Sequence, residues 1–464
     1  MINNNTPIQS KPLQWFTAIT CSIFAGILWR FFPHPALIIV LGILPLAVLY
    51  VLNRPFLMVL FFVIFSFFRI HEVFPQIYNL KIPLLLSLSS LAALIWQVGI
   101  TKKIKLFWCK EFTLLMCFLA LVIIGIVFSG NRPIAIEYFK SIYWKIILMT
   151  FAIAILVRSP QQLAFTLKAI TIAGILVGMI AIQNKLGGIG LVEGTRVTIG
   201  RELGSMLGDP NDLALVLMFP TSFAVGLLVT HQLPWHQRLI GFIAIPILFW
   251  AVMATQSRGG LLGMIAVFGI YGLQRIKSKI LLLSIAIAAG SILFFIAGIS
   301  ERSSGGAAEA GIDASAMGRL YAWEAAFKMA VSNPLTGVGL DNFYANYFYY
   351  SPHWDGLNHA VHSTWFGVLA ETGFLGLAIF ISLVIVLIRK ANRTLQAVKL
   401  VQNKIDPAIY TSAQAVFAGL IGTIVSGTFL TQGFNWPIYI LAALVVAVSK
   451  TSEIALAELN KSTS

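Results

Sequence analysis

The chain has 464 residues, 58% of them apolar and only 11% charged, with a formal charge of +15 and a mean hydropathy of +0.87. Soluble domains carry about a quarter charged residues, so these values exclude a soluble globular protein and predict an all-α, polytopic integral membrane protein. The positive charge does not point to nucleic acid, because it is spread over short connections between apolar runs, where lysine and arginine mark the cytoplasmic side.

Apolar runs of about 15–25 residues bounded by charge predict membrane spans. In the first part of the chain they fall at 14–31, 34–52, 54–69, 82–99, 111–129, 141–157 and 164–183. The first follows a polar N-terminus holding Lys11 and has no small-residue cleavage site close behind it, so an uncleaved helix is expected. Cys21, Cys109 and Cys117 have neither metal-ligand spacing nor a disulfide framework. Further spans at 211–230, 239–256, 259–273, 280–299, 363–388, 411–430 and 435–449 bring the total to about fourteen, or about twelve if the shortest merge or re-enter. With the N-terminus inside and sides alternating, the basic stretches "TKKIKLFWCKE", "QRIKSK" and Arg389 to Lys404 all fall inside, and so does the C-terminus.

The same alternation puts the two long polar stretches outside, 184–210 and 300–362. Four regions result: N-terminal helices over 1–183, helices with an external loop over 184–299, a large external loop over 300–362, and C-terminal helices with a tail over 363–464.

In "LGDPNDLALVLMFP" (207–220), Asp209 as N-cap, Pro210 at the first helical position and Asp212 three residues after the cap make a helix start. That start does not need Arg196 or Arg201 just upstream. In "FWAVMATQSRGGLLGMIAVFG" (249–269), Arg258 separates apolar runs of roughly 26 and 22 Å as helices, short of a ~30 Å hydrocarbon core. A cation in such a turn is costly without a partner or a wet cavity, which makes it a functional candidate. Gly259 and Gly260 allow the backbone to bend and approach closely.

The large loop opens with the low-complexity "SERSSGGAAEAGIDASAMG" (300–318) and continues into "MGRLYAWEAAFKMAV" (317–331), an amphipathic surface helix stopped by "SNPLTGVGL". It ends in "HWDGLNHAVHSTWFGVLAETGFLGLAIF" (353–380), where His353, His359 and His362 gather at the mouth of a span. Three histidines suggest zinc, yet the spacing is no metal signature; a base at the membrane surface suits an imidazole titrating near 6.5. His359 and His362, three apart, would share a helix face. Glu371, deeper in the span, is expected to pair with Arg258 or another buried cation, and Gly373 with Gly376 to permit tight helix contact.

Arg196, Arg201, Arg258, His359 and His362 thus all fall on the outer side. Guanidinium forks suit a diphosphate, and a histidine beside them suits deprotonation of a hydroxyl. Together they suggest group transfer from a membrane-held diphosphate to an acceptor alcohol.

"GDPNDLALVLMFP", "SRGGLLG", "NPLTGVGLDNF" and "HSTWFGVLAETGFLGL", in this order over roughly 196–382, resemble the O-antigen ligase and polymerase superfamily of bacterial membrane glycosyltransferases. The resemblance implies a metal-independent, inverting transfer, with no cofactor, of a glycan from an undecaprenyl diphosphate carrier on the periplasmic face of the inner membrane. It implies Arg258 as a diphosphate ligand, Arg201 or Arg196 as a second, and His362, with His359 beside it, as the base. Asp209 and Glu371 are expected to support the site rather than touch substrate. Acceptors in the superfamily include glycan, lipid A core and protein hydroxyls, and some members are named as inorganic-carbon transport components. A protein O-oligosaccharyltransferase and a transporter are therefore the alternative expectations.

Overall fold

The computed structural model describes residues 35–296 and 314–463, with isolated positions before residue 35. The predicted span 14–31, Cys21 and most of 300–318 lie outside the described residues. The described chain is helical throughout, with one isolated β-bridge between Val192 and Arg196. In order the helices are α1 (Pro35–Asn53), α2 (Pro55–Phe67), α3 (Ile82–Ile95), α4 (Lys110–Phe128), α5 (Arg132–Leu156), α6 (Pro160–Gly187), α7 (Pro210–Val229) and α8 (Trp235–Thr255). They continue as α9 (Arg258–Leu273), α10 (Lys279–Ile296), α11 (Ala314–Ser332), α12 (Phe343–Tyr350), α13 (Thr364–Leu400), α14 (Pro407–Gly427) and α15 (Trp436–Thr463).

Among the described residues, nine helices are long and apolar enough to cross a membrane, and a tenth span is possible if Ile43–Asn53 and Pro55–Phe67, bent by 88°, count as one. The fold class is as expected, but these numbers are below twelve to fourteen. Two predicted spans are short apolar helices, α9 and the Lys279–Ser291 part of α10, and two others form the bent pair.

α7 sits at the centre, with 83% of its apolar window buried. It is apolar on every side, as a helix surrounded by others must be, and α6, α8, α9 and α14 pack around it. Between helices in lipid there is no hydrophobic drive, so close packing and small residues hold them together. A Cβ on Gly263 of α9 would meet the Gly422 carbonyl of α14 at 3.0 Å, so these backbones nearly touch.

α13 is interrupted. Gly373 has φ 69° and ψ −171° inside it, and the loop between α11 and α12 wedges into the break. Phe374 N donates to Pro334 O (2.8 Å) and Val338 N to Ala370 O (2.8 Å), so backbone groups freed by the break are satisfied by another segment, as burial in a membrane requires. The far side of the wedge is tied to the end of α4: Ser129 Oγ donates to Val338 O (3.1 Å), and Asn342 exchanges hydrogen bonds with the Asn131 backbone.

Two sequence expectations are corrected here. Glu371, only 6% exposed, accepts hydrogen bonds from the backbone N–H groups of Asp341 (2.9 Å) and Phe343 (3.4 Å) rather than pairing with Arg258. The wedge brings these donors at the start of α12 to the carboxylate. Gly373 serves the break rather than a helix–helix contact, since a Cβ there would lie 2.5 Å from Pro334 O.

The connections 188–209, 256–257 and 333–363 gather at one end of the bundle. At the other end, Arg275 Nη2 donates to Val229 O (3.3 Å) and Gln232 Nε2 to Asn403 Oδ1 (3.2 Å), joining three of the short basic connections.

Candidate functional site

The loop end is built around the start of α7. Asp209 caps it as expected, accepting from Asn211 N (2.7 Å) and Asp212 N (3.2 Å), with Pro210 at the first position. The Asn211 side-chain oxygen accepts from Arg196 Nη2 and from Ser257 Oγ, both at 2.9 Å. Arg196 is 4% exposed, donates through Nε to Thr255 O (3.2 Å) and lies 3.8 Å from the Glu193 carboxylate. One asparagine thus joins the 188–209 loop to the turn between α8 and α9.

That turn is two residues long. Gln256 takes a left-handed conformation (φ 50°) and its side chain accepts from Thr195 Oγ1 (2.8 Å). Ser257 caps α9, accepting from Gly260 N (3.1 Å), so Arg258 becomes the first residue of the helix. Gly260 is helical, and what it permits is approach, not a bend: a Cβ there would lie 2.5 Å from the Ala214 Cβ.

Residue 212 makes the second connection. Its carboxylate accepts from Gln432 Nε2 (2.7 Å), Gln432 N donates to Thr364 Oγ1 (3.1 Å), and the Thr364 hydroxyl reaches Gly427 O and Leu430 O. The Asp212 side chain therefore does not bond back to its own cap, and Thr364 opens α13 two residues after His362. Two consecutive residues at the start of α7 thus hold the other elements, Asn211 through Ser257 at the start of α9, and Asp212 through Gln432 and Thr364 at the end of α14 and the start of α13.

His362 itself takes a left-handed conformation (φ 43°). The stretch from His359 to Ser363 is not helical, because Ser363 caps α13 and the helix starts only at Thr364. His359 and His362 thus do not share a helix face. Burial pushes the His362 imidazole below its ordinary 6.5; Arg319, His359 and Arg196 push the same way, and Asp209 opposes them. Residues from 196, 209, 319 and 359 thereby surround it electrostatically.

Sequence reasoning missed Arg319. It lies on α11 four residues before Trp323, hence on the same face. Trp323 Nε1 donates to Val361 O (3.0 Å), and its indole stacks on Phe366 with centroids 5.1 Å apart. The sequence predicts the helix correctly, and the signal for Arg319 was available there as an Arg and a Trp at i and i+4. Which way that face turns depends on tertiary contacts, the Trp323 hydrogen bond and its stacking on Phe366 among them.

The other candidates are more exposed. His359 is 41% exposed and sits 3.0 Å from the exposed Asp355 carboxylate. His353 stacks on Tyr321 at 3.8 Å and lies 3.5 Å from Glu324. Among the described residues no three His, Cys, Asp or Glu side chains form a group able to hold a metal ion. Arg201 is exposed on a 3-10 turn, its Nη1 reaching Gly208 O at 3.5 Å. Ser205 anchors that turn through a hydrogen bond to the buried Glu72 carboxylate, which also lies 3.3 Å from Arg69. Of the two upstream arginines, Arg196 is committed to internal contacts and Arg201 faces outward.

Asn211→Ala is expected to destabilise the protein by roughly 1–3 kcal/mol, because Ser257 Oγ and one Arg196 nitrogen lose a buried acceptor. Thermal unfolding in detergent measures it, and an unchanged midpoint would contradict the linking role.

Residues 243–381 match the protein family described as O-Antigen ligase. The match takes in Arg258, Arg319, His359, His362 and Glu371 and begins beyond Arg196, Arg201 and Asp209. No curated protein matches the chain.

Proposed function

We propose, from the match of residues 243–381 to the O-Antigen ligase family, that the protein transfers a glycan from an undecaprenyl diphosphate carrier to an acceptor hydroxyl at the loop end of the bundle. His362 takes the proton from the acceptor hydroxyl. The oxygen attacks the anomeric carbon from the face opposite the diphosphate, the carbon–oxygen bond to the diphosphate breaks, and configuration inverts. Arg258, Arg319 and the exposed Arg201 neutralise the departing diphosphate, a task suited to guanidinium forks. Arg196, buried and held by Thr255 and Asn211, positions the Arg258 turn, Asp209 caps α7 beside it, and Glu371 holds the start of α12 against the break in α13.

The observation that carries this reading is the set of hydrogen bonds at the start of α7 that ties Ser257, next to Arg258, and Thr364, two residues after His362, to the same helix end: it supports a shared site for two residues about a hundred positions apart. The lowered affinity of His362 for protons supports its role too, since a base must be neutral before it acts. The basic connections at the opposite end of the bundle favour a cytoplasmic location for that end and a periplasmic one for the site. In this reading the catalytic unit extends from the 188–209 loop through the first part of α13, and the helices before α6 serve as scaffold.

In a deletion strain, wild-type protein is expected to restore surface glycan, and Arg258→Ala at equal membrane abundance to leave it absent. Normal glycan from the Arg258→Ala strain would refute the assignment. Lipid-linked material in the deletion strain identifies the acceptor step: single repeat units mark a polymerase and long chains a ligase.

A further inference from the structure

At the end of the bundle away from the long loops, α4, α13 and α15 diverge around a cavity of about 680 Å³. Five basic side chains line it, Lys110, Arg389, Lys390, Arg393 and Lys450, against two carboxylates, Glu111 and Glu453. Both carboxylates are engaged: Lys390 Nζ is 3.1 Å from Glu111 and Lys450 Nζ is 3.2 Å from Glu453. Lys110, Arg389 and Arg393 have no carboxylate within ion-pair distance among the described residues. Three uncompensated cations around one concavity repel each other unless an anion sits between them.

Phe107, Val386, Ala397, Val446 and Leu456 form an apolar part of the wall, Thr394, Ser449 and Ser452 add hydroxyls, and the exposed Trp108 indole lines it with its N–H on Thr113 Oγ1 (2.8 Å). Tryptophan in that setting marks a membrane–water interface. Depth agrees: at about 1.5 Å per residue, Arg389 lies roughly 38 Å along α13 from Thr364, more than a ~30 Å hydrocarbon core, which puts both arginines at head-group level. A site with cations at one level and aliphatic wall beside them, far larger than a phosphate ion, suits an amphiphile.

We propose that this cavity binds the phosphate head group of an anionic membrane phospholipid, with Arg389 and Arg393 on the phosphate and the apolar wall against the start of the acyl chains. The site is independent of the glycan-transfer reading, because it shares no residue with it and lies at the other end of α13.

The test is native mass spectrometry of the full chain released from nanodiscs holding equal phosphatidylglycerol and phosphatidylcholine. Wild type is expected to retain phosphatidylglycerol preferentially. Arg389→Gln with Arg393→Gln should cut that preference about tenfold or more, at about 1 kcal/mol per interfacial cation. Lys404→Gln, a neutralised cation outside the cavity, should keep it. Equal retention of both lipids by wild type, or an undiminished preference in the double variant, would overturn the proposal. In a parallel arm, inorganic phosphate is added to delipidated protein: no change in thermal midpoint supports a lipid occupant, and stabilisation lost in the double variant would show a soluble phosphate site instead.

Discussion

Replacing His362 by alanine is expected to lower glycan transfer by about 10²–10⁴-fold, the usual contribution of a positioned base, while the protein reaches the membrane at its normal level. The stronger test is pH. Burial, then Arg319, His359 and Arg196, disfavour the protonated imidazole, so its pKa lies below the ordinary 6.5. Because the neutral form acts as base, activity is expected to hold as pH falls past 6.5 and to drop only through the lower value. Arg319→Gln removes a cation that disfavours protonation and should move the acid limb upward, toward 6.5. Asp209→Asn removes the opposing carboxylate and should move it further down. Both shifts are read from the position of the limb, so they are separable from any loss of rate through weaker diphosphate binding or a weaker cap. An acid limb that stays put in both variants would remove His362 from the chemistry.

Gly373→Ala is expected to be strongly damaging for so small a change, at roughly 2–5 kcal/mol from a left-handed backbone together with overpacking. Gly373 sits at φ +69° and its new Cβ would lie 2.5 Å from Pro334 O, a backbone atom with no freedom to swing away. Gly337→Ala meets the mirror problem, at φ +63° and 2.3 Å from Ala370 O. Either change should loosen the wedge, free the hydrogen bonds at Phe374 N and Val338 N, and leave the Glu371 carboxylate without the backbone donors it now receives. Gly269, with nothing within 4 Å of its added Cβ, is the control and should tolerate alanine. Thermal midpoints in detergent measure all three. A Gly373→Ala midpoint equal to that of Gly269→Ala would mean the break relaxes at little cost.

Features encoded locally were legible in the sequence. The cap at Asp209, the helix over 317–331 and the turn at Arg258 each depend on neighbours a few positions away, and the helices formed where expected. Features that depend on partners far along the chain were not. The run from His362 through the "AETGFLGL" segment reads as one apolar helix, because a break is affordable only where another backbone supplies donors and acceptors, and Pro334 and Val338 do so. Glu371 reads as an ion-pair partner for the same reason: charge is visible in a sequence, and two backbone N–H groups brought in from Asp341 and Phe343 are not. Among the described residues fewer spans form than expected, because an apolar stretch of 13 residues, such as Pro55–Phe67, has the composition of a membrane helix without the length of one. At the candidate site, the arginines and His362 were visible as residue types, whereas the internal commitment of Arg196 and the placement of Arg319 depend on tertiary contacts.

The hydrogen bond between Gln432 and Asp212 crosses 220 positions of chain, which has a consequence for biogenesis. While the polypeptide emerges from the ribosome, α7 to α9 enter the bilayer long before the segment following α14 has been made. Throughout that interval the acid at position 212 has no amide to receive it, and the mouth of α13 has nothing to brace against. The newborn protein is therefore assembled last at the end that carries the candidate site, and nascent chains cut off before Gln432 are expected to be inserted without a finished site.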